Sequence, residues 1–232
     1  MQTVICERLE AIRQRIRDLA TEYGREAESI RLLAVSKGQP LGAIEQARQA
    51  GQLAFGESYI NEAKLALAAF PDLDWHFIGP LQSNKTRVVA EQFTWVHSID
   101  RVKIVQRLQR QRPAELAPLN VCIQLNVDDE SSKSGVSPDE LATLADAVSA
   151  SSRLCLRGIM AIPRPASDLS QQRHSLARVA QHYQQLKSDG YPLDTLSMGM
   201  SGDMEAAIAE GSTLVRVGSA IFGPRSRAGR VG

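Results

Sequence analysis

Of the 232 residues only three are cysteine, and Cys6, Cys122 and Cys155 stand far apart with no CxxC pair. So odd and scattered a set excludes a disulfide framework, fits a reducing compartment, and leaves the three as packing residues. No apolar run approaches the roughly 18 residues that would cross a bilayer. Glu7 and Arg8 stand where an export signal would be apolar. The expectation is a cytoplasmic protein with no membrane partner. An excess of one charge is absent too. Lys plus Arg number 27 against 26 for Asp plus Glu, a net charge of +1, so no global field recommends nucleic acid. The four histidines, His76, His97, His174 and His182, show neither HExxH nor close ligand spacing. They are read as polar or half-buried residues, and no metal is expected.

What the chain does have is a regular alternation. Ile5, Leu9, Ile12, Ile16 and Leu19 form one apolar stripe, predicting an amphipathic helix over residues 1–24 that ends at Gly24. Short apolar runs of strand length then recur at 31–36, 53–55, 75–78, 94–97, 119–127, 154–160, 194–198 and 213–217. Helical patterns separate them at 40–50, 58–70, 82–92, 100–112, 137–150, 168–189 and 203–210. Strand followed by helix throughout implies parallel strands. Eight such units in this length favour a closed (β/α)8 TIM-type barrel preceded by the N-terminal helix. No change in composition marks a linker, so residues 1–232 read as a single domain, with a frayed tail over 226–232.

Chemistry should gather where strands of such a barrel end. In "RLLAVSKGQP" a single lysine, Lys37, follows the first strand. In a closed barrel the last strand lies beside the first, so the C-terminal motifs "LSMGMSGDMEAAIAEG" and "TLVRVGSAIFG" become its neighbours. Loops after strands seven and eight are the usual phosphate site of these barrels, since free backbone N–H groups favour an anion there. Ser201 adds a hydroxyl, Gly218 allows close approach, and Ser219 opens a short helical turn. Arg216 sits among apolar strand residues and must find a partner or point into the site. An amine nucleophile, a phosphate cradle and a fixed cation together describe pyridoxal 5'-phosphate held on Lys37 as an internal aldimine. Arg216, always protonated near neutrality, would then donate to the pyridine nitrogen and weaken the ring as an electron sink.

The ordered set "AVSKGQP", "FGESYINEA", "WHFIGPLQSNK", "VHSID", "QLNVDDESSKSGV", "LRGIMAIP", "LSMGMSGDMEAAIAEGST" and "VRVGSAIFG" resembles the pyridoxal phosphate homeostasis family, YggS/PROSC, over nearly the whole chain. The resemblance implies a fold-type III barrel similar to the N-terminal domain of alanine racemase. It implies the cofactor on Lys37, its phosphate on Ser201, Gly218 and Ser219, and its ring nitrogen at Arg216. Ser58 departs from the family, which usually has asparagine at this position of "FGEN". Asn84 and Lys85 in "LQSNK" read equally as helix-start residues or as functional ones. Two functions follow. One is a cofactor holder acting in intracellular pyridoxal phosphate homeostasis, without catalysis of its own and expected to be monomeric. The other is a racemase or decarboxylase on the same barrel. Racemization needs a second proton-transfer group opposite Lys37, supplied in alanine racemase-like enzymes by a tyrosine and a further β-domain. Tyr23, Tyr59, Tyr183 and Tyr191 fall in predicted helices or just beyond helix ends, and little sequence follows "IFG", so the holder is the expected function.

Overall fold

The computed structural model describes residues 3–127 and 134–223. Part of the polar loop at 126–140 and the whole tail at 226–232 therefore lie outside the described residues. Helix α1 (Val4–Glu22) begins at Thr3, whose hydroxyl accepts the Cys6 N–H at 3.3 Å. That bond satisfies one of the donors a helix leaves open at its start. The helix buries Leu9, Ile16, Leu19 and Ala20.

Eight strands follow: β1 (Arg31–Val35), β2 (Ala54–Glu57), β3 (Asp74–Phe77), β4 (Trp95–Ile99), β5 (Leu119–Gln124), β6 (Leu154–Met160), β7 (Thr195–Ser197) and β8 (Leu214–Val217). Each pairs in parallel with the next, and β8 pairs with β1, closing the barrel. The intervening helices are α2 (Leu41–Gln49), α3 (Ile60–Ala69), α4 (Thr86–Gln92), α5 (Val102–Gln111), α6 (Leu141–Ser149), α7 (Leu169–Ser188) and α8 (Met204–Ala209). A one-turn helix α9 (Ser219–Phe222) follows β8. The (β/α)8 barrel with its N-terminal helix is the architecture that the alternation predicts. Strands covered by helices outside and by their own side chains inside need apolar residues on both faces. That is why Leu33 and Ala34 of β1, Trp95 and Val96 of β4, and Val121, Cys122 and Ile123 of β5 are all buried. Among the described residues, no helix is long and apolar enough to cross a membrane.

Three expectations need correction. The fifth strand, predicted over 119–127, ends at Gln124, although Leu125 and Val127 remain buried. Its apolar run continues into a loop, where Leu125 bridges Val136. The cysteines are not all packing residues: Cys122 is buried, with its thiol pushed up to about 12 by burial, but Cys155 is exposed. His76 and His97, read as half-buried at most, are fully inside the barrel because β3 and β4 turn them into its lumen, where they bond each other.

Candidate functional site

Closure of the barrel brings together residues from opposite ends of the sequence. Leu33 pairs with Arg216 and Ala34 with Val217, so whatever leaves β1 lies beside whatever leaves β8. At this C-terminal face opens a cavity of about 320 Å³, and Lys37, Ser201, Arg216, Gly218 and Ser219 all line it. Val35, Gln39, Ser58, Ile78, Ile162, Met200, Gly202 and Gly223 complete its wall. Its size falls within the range of small-molecule sites, roughly 300 to 1,000 Å³.

Each element supplies its residue for a local reason. Gly218 follows β8 where a Cβ would lie 3.1 Å from the Val35 carbonyl oxygen, a tight contact that glycine avoids as the two strand exits come together. Ser219 then opens α9, whose first intrahelical bonds are donated by Ile221 and Phe222 to the Gly218 carbonyl. The N–H groups ahead of them have no acceptor within the helix. Ser201 lies in the turn between β7 and α8 and is exposed. At neighbouring Gly202 a Cβ would meet nothing within 4 Å, which leaves this side of the cavity open.

Arg216 is only 4% exposed, and its guanidinium is pinned by backbone and hydroxyl oxygens. It donates to the Ser197 carbonyl at 2.7 Å, to the Ser197 hydroxyl at 2.8 Å and to the Ala161 carbonyl at 2.9 Å. Burial lowers its pKa to about 10, which still leaves it protonated at neutral pH. The sequence offered no sign of these partners, which come from β7 and from the residue after β6.

From Arg216 a chain of polar groups, buried as far as His76 and ending at the half-exposed Asp74, runs down the barrel. Ser197 Oγ meets His97 Nδ1 at 2.9 Å, His97 Nε2 meets His76 Nδ1 at 2.8 Å, and His76 Nε2 meets Asp74 Oδ2 at 3.0 Å. An ionised Asp74 can only accept, so His76 donates to it from Nε2 and accepts at Nδ1. His97 then donates from Nε2 and accepts the Ser197 hydroxyl at Nδ1, and the Ser197 oxygen in turn accepts from Arg216. Every bond in the chain is satisfied with both rings neutral. Burial acts in the same sense, lowering the pKa of His76 and pushing that of His97 well below its usual value.

The structure does not bring Asn84 or Lys85 to this cavity. Ser83–Lys85 form a short 3-10 turn before α4, and Lys85 lines a separate cavity of about 310 Å³ with Ser58, Tyr59, Asn61 and Gln82. Ile78, Ile162 and Met200, which wall the main cavity, carried no chemical signal of their own. Each could be placed only as a residue just past a strand end. Among the described residues, no group of three or more His, Cys, Asp or Glu is arranged to hold a metal ion.

Residues 8–226 match the family described as alanine racemase, N-terminal domain. The pyridoxal phosphate homeostasis protein of Escherichia coli K12 is 53% identical over 226 residues, covering 95% of this chain and 97% of that one. Its namesake from Pseudomonas aeruginosa is 52% identical over 225 residues, 96% of each chain. Among solved structures, PipY of Synechococcus elongatus PCC7942 with PLP bound superposes with a TM-score of 0.80 at 33% identity, covering 94% of this chain and 100% of that one. With a family match across nearly its whole length and relatives at about half identity over the same span, the chain belongs to the alanine racemase N-terminal domain family and, within it, to the pyridoxal phosphate homeostasis proteins.

Proposed function

We propose that this protein binds pyridoxal 5'-phosphate in the cavity at the C-terminal face of its barrel and acts in intracellular homeostasis of that cofactor. One observation carries the reading: a lysine, two serines, a glycine and a fixed arginine, drawn from both ends of the chain, line a single cavity. When bound there, pyridoxal phosphate supplies an electrophilic aldehyde on a conjugated pyridine ring.

The residues present fit such a group. Lys37 supplies the amine for the aldehyde. The hydroxyls of Ser201 and Ser219 supply donors for phosphate oxygens, and Gly218 leaves the backbone bare for close approach. Arg216, held by the carbonyls of Ser197 and Ala161, keeps a protonated donor for the ring nitrogen and has no readily lost proton to give it. With Arg216 pinned by these oxygens and further braced through Ser197 by the histidine chain, the site favours holding over chemistry that needs a protonated ring. Ser58, shorter than the asparagine usual in the family, lines the same cavity and brings a hydroxyl rather than an amide.

The protein is a cofactor holder rather than a racemase or decarboxylase, and acts as a cytoplasmic monomer with no nucleic-acid partner. Adding pyridoxal phosphate to the purified protein should produce an absorption band shifted from that of the free ligand, and the shifted band should saturate at one equivalent. A spectrum that stays the sum of free ligand and protein at every concentration would overturn the reading. Incubation with L- and D-amino acids in heavy water should show no chiral inversion. Inversion at about 1 to 1000 per second, the usual enzymic range, would make it a racemase.

A further inference from the structure

Lys37 does not leave β1 directly. Ser36, Lys37, Gly38 and Gln39 form a tight turn, closed by the Gln39 N–H donating to the Ser36 carbonyl at 2.9 Å. Gly38, the third residue, has φ +72, the left-handed conformation that such turns reserve for glycine. Lys37 is the second residue, so its direction depends on how the first is anchored. Two bonds anchor Ser36. Its N–H donates to the Gly56 carbonyl at 3.1 Å, and its hydroxyl donates to Glu57 Oε1 at 2.5 Å.

Val35, Lys37 and Ser58 line the cavity, whereas Ser36 and Glu57, one residue out of phase on the adjoining strands, do not. Alternation along a strand puts them on the opposite side of the sheet, under the turn. There Ser36 is 1% exposed and Glu57 2%. The second carboxyl oxygen of Glu57, Oε2, is buried without a hydrogen-bond partner among the described residues. An ionised carboxylate in that position is costly, and taking up a proton relieves the cost.

The surroundings act in the same direction. Burial raises the pKa of Glu57 to about 7, against the opposing bond from Ser36, while Glu62 raises it further and Lys37 lowers it. Glu62 comes from the first turn of α3 and lies 3.9 Å from where a Gly38 Cβ would be, so it flanks the same turn. On the other side β3 brings Phe77, which pairs with Glu57 and carries no charge.

We infer that Glu57 is a positioning residue for Lys37: with its proton it anchors the turn through Ser36 and adds no charge beneath it, and without its proton it becomes an anion beneath the turn that favours Lys37 as the ammonium. The consequence rests on the reading that Lys37 meets the aldehyde of the ligand. A neutral amine adds its lone pair to an aldehyde carbon, and water leaves as the linkage forms. An ammonium has no lone pair to add. Loss of the Glu57 proton to solvent therefore lowers the share of Lys37 that can add to the ligand, and uptake of pyridoxal phosphate is slower above neutrality than in a protein that cannot lose this proton.

The test begins with the ligand-free protein. Reductive ¹³C-methylation followed by NMR, with the Lys37 signal assigned by its loss in Lys37→Arg, gives the titration of that lysine. In the wild type the signal should show an inflection near pH 7. In Glu57→Gln that inflection should vanish, and the main Lys37 titration should move down by about 1 pKa unit, the size expected on removing a nearby opposite charge. Ser36→Ala keeps the carboxyl but removes the bond that lowers its pKa, so the inflection should move to higher pH. In parallel, the second-order rate constant for pyridoxal phosphate uptake by Glu57→Gln at pH 9, divided by that of the wild type, should be about tenfold larger than the same ratio at pH 6, the equivalent of one pKa unit. A Lys37 titration identical in the wild type, Glu57→Gln and Ser36→Ala would overturn the inference. A wild type that takes up no pyridoxal phosphate at any pH contradicts the binding reading instead, because the ligand-free signal still decides the role of Glu57.

Discussion

The two ends of the barrel are built from the same eight strands and treat their polar groups in opposite ways. At the N-terminal end, the guanidinium groups of Arg31 and Arg157 lie 4.9 and 5.1 Å from the centre of the Trp95 ring. That ring also stacks on His76 at 5.0 Å. Arg157 is paired with Asp194 and donates to Asn120 at 3.0 Å, and Arg31 donates to Thr195 at 2.9 Å. Asp74 accepts from both His76 and Thr94. Charge there is spent on charge and on aromatic faces, which closes the mouth of the barrel. At the C-terminal end, Lys37, Ser58, Ser201 and Ser219 face a cavity. The first arrangement is what stability demands, and the second is what binding demands. A single strand can serve both, as β1 does with Arg31 at its start and Lys37 beyond its end.

If that division is correct, changes at the two ends should separate stability from binding. The largest effect is expected at the closed end. Trp95→Ala removes a side chain only 4% exposed, and should cost about 3 to 5 kcal/mol in urea unfolding. The surviving folded protein should bind pyridoxal phosphate nearly as before. At the open end the pattern should invert. Ser201→Ala combined with Ser219→Ala should weaken binding by about a hundredfold or more, since each bond to a charged phosphate contributes about 1.5 to 3 kcal/mol. The urea midpoint without ligand should barely move, and unchanged affinity would remove the serines from the phosphate site.

The polar chain between the ends predicts a smaller, pH-dependent effect. His97 is held neutral when folded, its pKa well below normal, and is free to take a proton near pH 6.5 when unfolded. Its contribution to stability is therefore complete above about pH 6.5 and is lost as pH falls through the region below, where only the unfolded chain binds the proton. Glu57 acts in the opposite sense, because its raised pKa makes the folded protein the better proton binder between about pH 4.5 and 7. Urea midpoints compared between the wild type and His97→Gln at pH 7.5 and 5.5 isolate the histidine. The wild type should lose more than the variant on acidification, and equal losses would mean that His97 is not buried neutral.

Much of this was legible before any coordinates, because a covered parallel strand must be apolar for several residues in succession and the run in Leu32–Val35 can do little else. The same logic overshot at Leu125 and Val127, which are buried in a loop rather than a strand, since burial and strand geometry leave the same mark in a sequence. The gathering of Lys37 with Ser201, Arg216, Gly218 and Ser219 followed from closure alone, as neighbouring strands one and eight must bring their exits together. What stayed hidden were polar residues whose partners come from other strands. His76 and His97 look like ordinary strand histidines until β3 and β4 are wound into a barrel. Glu57, read alone, is a carboxylate at a strand end, and only its position against Ser36 shows that it is buried.

Lys37 is the centre of the proposed site. The most direct measurement is to load the protein with pyridoxal phosphate, reduce it with borohydride to fix the covalent linkage, digest it and locate the added mass. The label should fall on the peptide containing Lys37 and be lost in Lys37→Ala. A label carried mainly by Lys85, which lines the separate cavity, would contradict this assignment.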